Sequence, residues 1–279
     1  MLAILDVFSI DSPFLTISEI SRSAGLPMST THRLVHELVA EGLLETVDSP
    51  QRQLRLGNRL WELGTRTPGA LGLREIAQPH MSDLQQRVAQ HVQLAVRYGL
   101  DTLILERISH PRAVVSASVV GGRMLLPHTA LGLVILAFGD ETVIEDVLEH
   151  GLEPPTPAAI DTPERLLTVL ATIERRGFAS ADGFIFSGSR GVAAPVRTTD
   201  GTVVAAIGVV VANDGSRVEA VAMAVKQTAA DIGRSLSRAY LPSGHPQALP
   251  GGSSRVLVRS SLNSMQFLGR PRRTRKHTE

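Results

Sequence analysis

TISEISRSAGLPMSTTHRLVHELVAEG, residues 16–42, decides the fold of the first part of this chain. Thr16-Ile17-Ser18-Glu19 reads as a capping box, with the threonine hydroxyl free to cap a helix and the glutamate to reach back. Ile17, Ile20 and Ala24 give that helix an inner face. Gly25 stands where the chain must turn through a left-handed residue, and Pro27 suits the first position of a new helix. The new helix runs over about Pro27 to Glu41, with Leu34, Val35, Leu38 and Val39 inward at helical spacing. Ser29, Thr30, Arg33, His36 and Glu37 are left outward, and Gly42 ends the helix.

Working outward, Leu2, Ile4, Leu5 and Phe8 form a short helix broken near Ser12-Pro13. Downstream, Leu44–Val47 and Gln53–Leu56 alternate like strands around a turn at Asp48-Ser49-Pro50-Gln51-Arg52. Three helices and a small hairpin within residues 1–57 make a winged helix-turn-helix. In that arrangement the second helix of the motif enters the major groove with its N-terminal residues. Ser29, Thr30, Thr31, His32 and Arg33 occupy that place. Small hydroxyls permit close approach, and a bidentate arginine on guanine is worth about 1–3 kcal/mol of discrimination. Arg52 and Arg55 on the hairpin are expected to hold the phosphate backbone. The competing reading is a sensory or protein-interaction module without specific DNA binding, since any small three-helix unit has a polar outer face.

From Asn58 to about Thr65 the pattern is helical again, and Pro68-Gly69 interrupts it. We expect a linker helix region over 58–72. Leu73, Ile76, Ala77, Leu84 and Val88 stripe the helix that opens a second domain over 73–241. There, Val92–Tyr98 and Thr102–Ile108 flank a hairpin turn, and Ala113–Val120 is expected as a further strand. Helices are expected over Thr129–Phe138, Glu141–Glu149 and about Pro163–Arg176. Strands follow over Val192–Arg197 and Val203–Val211, then a final helix striped by Val218, Val221, Ala222, Val225, Ala229, Ile232 and Leu236. The fold class is therefore α+β in two domains, the second built on a largely antiparallel sheet.

A hydrophobic share of 43% against a charged share of 20% marks a globular chain. The net charge of +1 hides an asymmetry: seven basic residues and one acid follow Pro242, so residues 1–242 are mildly acidic. Whole-chain charge gives no argument for nucleic acid, and the case rests on local pattern. The basic stretch 242–279 reads as disordered. No cysteine is present, which excludes disulfides and thiolate metal sites. No apolar run spans a bilayer and no signal peptide is read, so a cytoplasmic location and no membrane contact are expected. His80, His91, His110 and His128 are scattered without metal-ligand spacing. No nucleophile elbow or phosphate loop occurs, so no catalytic residue, metal or cofactor is expected.

Leu2-Ala3-Ile4-Leu5, Thr16–Ile20, Ala24–Leu34, Glu41–Leu44 and Leu56–Gly64 in the first domain form one ordered set with Thr129-Ala130-Leu131-Gly132, Ala193-Ala194-Pro195-Val196 and Asp200-Gly201 in the second. In order and spacing these segments resemble the isocitrate-lyase-regulator (IclR) family of bacterial transcription factors, over about residues 1–241. The resemblance implies a GAF-like effector domain that binds a small molecule, often a carboxylate or aromatic metabolite. It also implies a homodimer or homotetramer on a double-stranded operator, acting as a repressor or an activator. Met28 and Leu133 stand where the family often has lysine. Only Asp182 survives of an acidic cluster that the family aligns with Ala181–Phe184. Gly191 replaces a common cysteine, and Gly208 and Val210 replace small hydroxyl residues. The chain starts within the family's usual first helix, which implies a start further upstream or a weaker dimer.

For the effector, the expected contacts are Thr129, Ala130, Leu131 and Gly132 at a helix start that offers free N–H groups to a carboxylate. With them go Asp182, Arg190 and Gly191 around a Gly188–Gly191 turn, and Gly208 and Val210 on the strand over 203–211. Because the replaced positions are smaller or more apolar, the ligand is expected to be larger or more aromatic than a two- or three-carbon acid.

Overall fold

The computed structural model describes residues 1–9, 11–64 and 70–239, and the basic stretch 242–279 lies outside them. The chain divides into two compact units, Met1–Thr67 and a second beginning at Pro68.

The first unit contains α1 (Leu2–Leu5), α2 (Ile17–Ala24), α3 (Met28–Ala40), β1 (Leu44–Thr46), β2 (Leu54–Leu56) and α4 (Asn58–Gly64). The capping box forms: the Glu19 N–H donates to Thr16 Oγ1 at 3.3 Å, and the Thr16 N–H donates to Glu19 Oε2 at 2.7 Å. Gly25 takes φ +64°, a left-handed conformation that only glycine adopts freely. This turns the chain between α2 and α3, and its N–H closes on the carbonyls of Ser21 and Arg22. Ile4, Ile20, Val35, Leu38, Leu44 and Leu54 are buried together, drawing every helix of the motif and both hairpin strands onto one core. Each such side chain contributes about 1.5–3 kcal/mol when fully buried. β1 and β2 pair antiparallel from Leu44↔Leu56 to Thr46↔Leu54, and Leu15 bridges to Leu54 beside them.

The second unit opens with α5 (Ala70–Val88) and places β3 (His91–Tyr98), β4 (Asp101–Ile108) and β5 (Arg123–Leu125) before α6 (Ala130–Ala137). Then come α7 (Glu141–His150), α8 (Pro163–Arg176), β6 (Ala179–Asp182), β7 (Ser189–Arg197), β8 (Val203–Ala212) and α9 (Glu219–Ala239). Six strands form one sheet in the order β5-β4-β3-β8-β7-β6, with every pairing antiparallel. Alternation along each strand sends side chains to opposite faces. Val92, Leu94, Val192, Ala194, Ile207 and Val209 pack under α5 and α9. Ala95, Ile104, Ala181, Ala193 and Ala206 pack under α6, with α7 and α8 behind it. The small alanines on this second face let α6, apolar all round, lie close on the sheet. At Gly132 the helix instead presses on the turn that precedes it: an added Cβ would stand 2.1 Å from the Leu126 carbonyl oxygen, so only glycine fits.

The strand expected over Ala113–Val120 does not form; this segment is unpaired, and the sheet edge is β5. Its polar backbone groups are met by side chains instead of a ladder. The Val114 N–H donates to Gln90 Oε1 at 3.1 Å, and the Ser118 carbonyl accepts from Arg107 Nη1 at 2.6 Å. Two further differences bear on function. Residues 179–182 form a strand, and Ser189–Gly191, expected in a turn, already belong to β7.

Candidate functional site

In the first unit, α3 begins at Met28, one residue later than expected: Pro27 is its N-cap, with φ −56° and ψ 144°. The 3.6-residue period then divides its first turns. Ser29, His32, Arg33 and His36 are exposed and Thr30 is half-buried. Thr31 corrects the expectation: it is 0% exposed and its hydroxyl donates to the Pro27 carbonyl at 3.1 Å. It shares the inner face with Val35 and Leu38, four and seven residues on, so its side chain is spent on the core. Arg33 donates to Glu37 Oε1 at 2.8 Å, an exposed pair of small worth that a phosphate can displace. Arg52 lies at the hairpin turn with φ +50° and is exposed. Arg55 forks onto Glu45 Oε2 through Nε at 3.1 Å and Nη2 at 2.7 Å, while the Asn58 N–H donates to Glu45 Oε1 at 2.9 Å. The Asn58 N–H first, then Arg55, hold the Glu45 carboxyl below its usual range. Glu45 thus ties Arg55 at the end of the hairpin to the start of α4, and Arg55 keeps one edge in solvent.

In the second unit a cleft opens on the α6 side of the sheet, with about 520 Å³ of empty space when its open mouth is included. Strand parity decides what lines it. Because Ala193 and Ala206 face α6, so do Gly191 and Ser189 on β7 and Gly208 and Val210 on β8; Gln93 and His91 accompany Ala95 on β3. An added Cβ at Gly208 would lie 2.8 Å from the Val192 carbonyl oxygen and 3.2 Å from Leu131 Cδ2. At Gly191 it would lie 3.3 Å from the Ala130 Cβ. The missing side chains are what seat the first turn of α6 on the sheet. Met124, Leu131 and the segment Phe184-Ile185-Phe186, which links β6 to β7, supply large apolar walls.

The polar groups of the cleft are few. Thr129 caps α6, its Oγ1 accepting the Gly132 N–H at 2.9 Å. The N–H groups of Ala130 and Leu131, the next residues of that first turn and both part of the cleft wall, have no intrahelical acceptor. Across the cleft, Gln93 Nε2 donates to Ser116 Oγ at 3.1 Å, and the Ser116 and Ser118 hydroxyls stand 2.9 Å apart. Arg107 supports that segment through the Ser118 carbonyl and lies against the His91 ring at 3.2 Å. Burial first, then the Arg107 cation, hold His91 below the ordinary imidazole range. His128, on the wall just before the capping threonine, is 7% exposed, and its Nε2 has no hydrogen-bond partner. Burial alone holds its pKa below the ordinary range.

Of the residues expected to meet an effector, the cleft brings together Thr129, Ala130, Leu131, Gly191, Gly208 and Val210. Three are corrected. Gly132 is absent from the wall, its N–H taken by Thr129 and its α-carbon pressed on Leu126. Asp182 and Arg190 sit opposite each other in the β6–β7 register on the other face of the sheet, because their neighbours Ala181 and Gly191 face α6. Arg190 Nε stands 3.0 Å from Asp182 Oδ2, and its other nitrogens donate to the Ser216 carbonyl at 2.8 Å and Asn213 Oδ1 at 3.1 Å. A guanidinium with these partners anchors the β7–β8 end of the sheet. Sequence reasoning missed Gln93, Ser116, Ser118, His128 and the Phe184–Phe186 wall.

Comparison with known proteins matches two family models. Residues 67–234 match the bacterial transcriptional regulator IclR C-terminal domain, and residues 1–48 match the IclR helix-turn-helix domain. This chain belongs to the IclR family. Among its relatives is the Escherichia coli regulator XynR, 31% identical over 74% of this chain and 82% of that protein. The Pca regulon regulatory protein of Pseudomonas putida is 26% identical over 75% of this chain and 71% of its own length. Among solved structures, an IclR homologue from Microbacterium hydrocarbonoxydans complexed with 4-hydroxybenzoate is 37% identical. It superposes with a TM-score of 0.79 over 84% of this chain and 96% of that one. As an IclR regulator the chain binds DNA through its helix-turn-helix and carries an effector-binding C-terminal domain; the relatives are regulators, not enzymes. Among the described residues no group of three or more acids and histidines could hold a metal, and no helix is long and apolar enough to cross a membrane.

Proposed function

We propose that this IclR regulator senses an aromatic carboxylate, and that ligand in the cleft alters its affinity for an operator. The observation that carries the reading is the composition of the cleft: Phe184, Ile185, Phe186, Leu131 and Met124 line it, together with Ala130 and Leu131 of the α6 first turn, whose N–H groups have no intrahelical acceptor. Broad apolar walls suit a ring, and a helix N-terminus suits an anion. The Microbacterium homologue with 4-hydroxybenzoate supports the same ligand class.

On the DNA side, the exposed Ser29, His32 and Arg33 and the half-buried Thr30 form the N-terminal edge of α3 and are assigned to the major groove. Arg52 is assigned to the phosphate backbone, and Arg55 joins it through its exposed edge. The homodimer or homotetramer implied by the family would cover exposed apolar side chains of the first unit, Leu2 and Trp61, the latter 75% exposed. The test is a thermal-shift series with 4-hydroxybenzoate, benzoate, pyruvate and glyoxylate. Stabilisation by the aromatic acids, with a matching change in duplex binding, supports the reading. Stabilisation by pyruvate or glyoxylate alone rejects it.

A further inference from the structure

We infer that His128 is the residue that selects an acid over its uncharged isostere in the cleft, a role that rests on the aromatic-acid reading above. Two independent observations meet at one place. The start of α6 presents the N–H groups of Ala130 and Leu131 without intrahelical acceptors. Two residues earlier, in the 3₁₀ turn Leu126–His128, the imidazole of His128 is part of the same wall and carries an Nε2 with no partner. Buried polar atoms are almost always paired, so an unpartnered nitrogen on a residue of the cleft wall has its hydrogen-bonding capacity left for a ligand.

The neighbouring polar groups are already engaged. Thr129 Oγ1 caps the helix, Gln93 holds Ser116, and Ser189 Oγ donates to the Phe186 carbonyl. His128 therefore stands out as the side chain near the α6 start with hydrogen-bonding capacity unspent. Its burial favours the neutral ring, which carries one N–H. With that hydrogen on Nε2, the ring donates to a carboxylate oxygen beside the Ala130 and Leu131 N–H groups. Three donors then converge on one anion, and an amide or ester in the same place offers a single oxygen and a mismatched group. The turn Leu126-Pro127-His128 is wholly buried and Pro127 fixes its backbone, so the imidazole is held in position before the ligand arrives.

The experiment is isothermal titration of full-length protein with benzoate and with benzamide, comparing the wild type with H128L and H128N. For the wild type, benzoate binds more tightly than benzamide. H128L weakens benzoate about ten- to a hundredfold, the range for loss of a hydrogen bond to a charged group, and changes benzamide far less. H128N, which keeps an N–H, restores part of the loss. Each variant's melting temperature without ligand reports that it is folded. Equal weakening of benzoate and benzamide, or no weakening of benzoate, overturns the role of His128 alone. Failure of the wild type to bind either compound overturns the ligand class on which that role rests.

Discussion

Replacing Arg190 by methionine tests whether this arginine is a structural anchor or an effector contact. Its side chain is 9% exposed, and its guanidinium meets Asp182, Ser216 and Asn213. Removing one partner of a buried ion pair costs about 3–5 kcal/mol because the other charge is stranded. Asp182 is 47% exposed, so water takes over much of its solvation and the cost falls. The two lost hydrogen bonds to Ser216 and Asn213 retain about 1 kcal/mol each. The net expectation is about 2–3 kcal/mol, or about 5–10 °C for a domain of this size. D182N, with an exposed side chain, should cost under about 1 kcal/mol. Calorimetry of the full chain measures the shift, and the fluorescence of Trp61 reports separately on the first unit. Titration of D182N with benzoate should give an affinity within about threefold of the wild type, a difference of about 0.6 kcal/mol. Loss of benzoate binding in D182N and R190M at unchanged melting temperature would refute the placement of this pair on the far face.

Further outcomes follow from the same geometry. G132A places a Cβ 2.1 Å from the Leu126 carbonyl and should destabilise the second unit by at least about 1–3 kcal/mol, seen as a lower urea midpoint. G191L extends a side chain from β7 into the cleft and should abolish benzoate binding while duplex binding without ligand persists, read by titration and anisotropy. His91 and His128 are both held below their unfolded pKa, so the folded state disfavours their protonation. Their contribution is complete above about pH 6.5, the unfolded value, and is lost as pH falls from there toward the folded values. A pH series of denaturation midpoints should show this decline, and H128N should flatten it. R52A should lower the salt slope of duplex binding by about one while leaving sequence preference intact.

The first unit was legible because its signals are local. The capping box at Thr16, the turn at Gly25 and the spacing of Val35 and Leu38 each act within a few residues, and helix bounds follow from them. Thr31 was misplaced because polarity was read before parity: it lies on the Val35–Leu38 face, and its hydroxyl finds the Pro27 carbonyl there. In the second unit the long strands and helices were legible from apolar runs, but Ala113–Val120 was not. Its alternation looks strand-like, yet side chains of Gln90 and Arg107 claim its backbone, and no local pattern announces them.

The pocket was half legible. Thr129–Leu131, Gly191, Gly208 and Val210 came from the family's pattern and from the small residues that substitute in it. Asp182 and Arg190 went astray because a turn has no parity; once β7 begins at Ser189, alternation turns Arg190 away from α6. One signal for the missed residues was present. Gln93 is a lone amide inside the apolar run Val92–Val96, and such a residue on a buried strand needs a partner. His128 gave no comparable signal, since its orphaned Nε2 exists only after the chain has folded around it.

The most direct test of the central assignment is selection of duplexes from a randomised pool by the purified protein, followed by anisotropy on the selected sequence with wild type, R33A and H32A. The account predicts that one sequence family is enriched, and that each substitution weakens binding to it by about 1–3 kcal/mol while non-specific binding changes far less. Enrichment of no sequence, or specific binding unchanged in both variants, would contradict the placement of the α3 edge in the major groove.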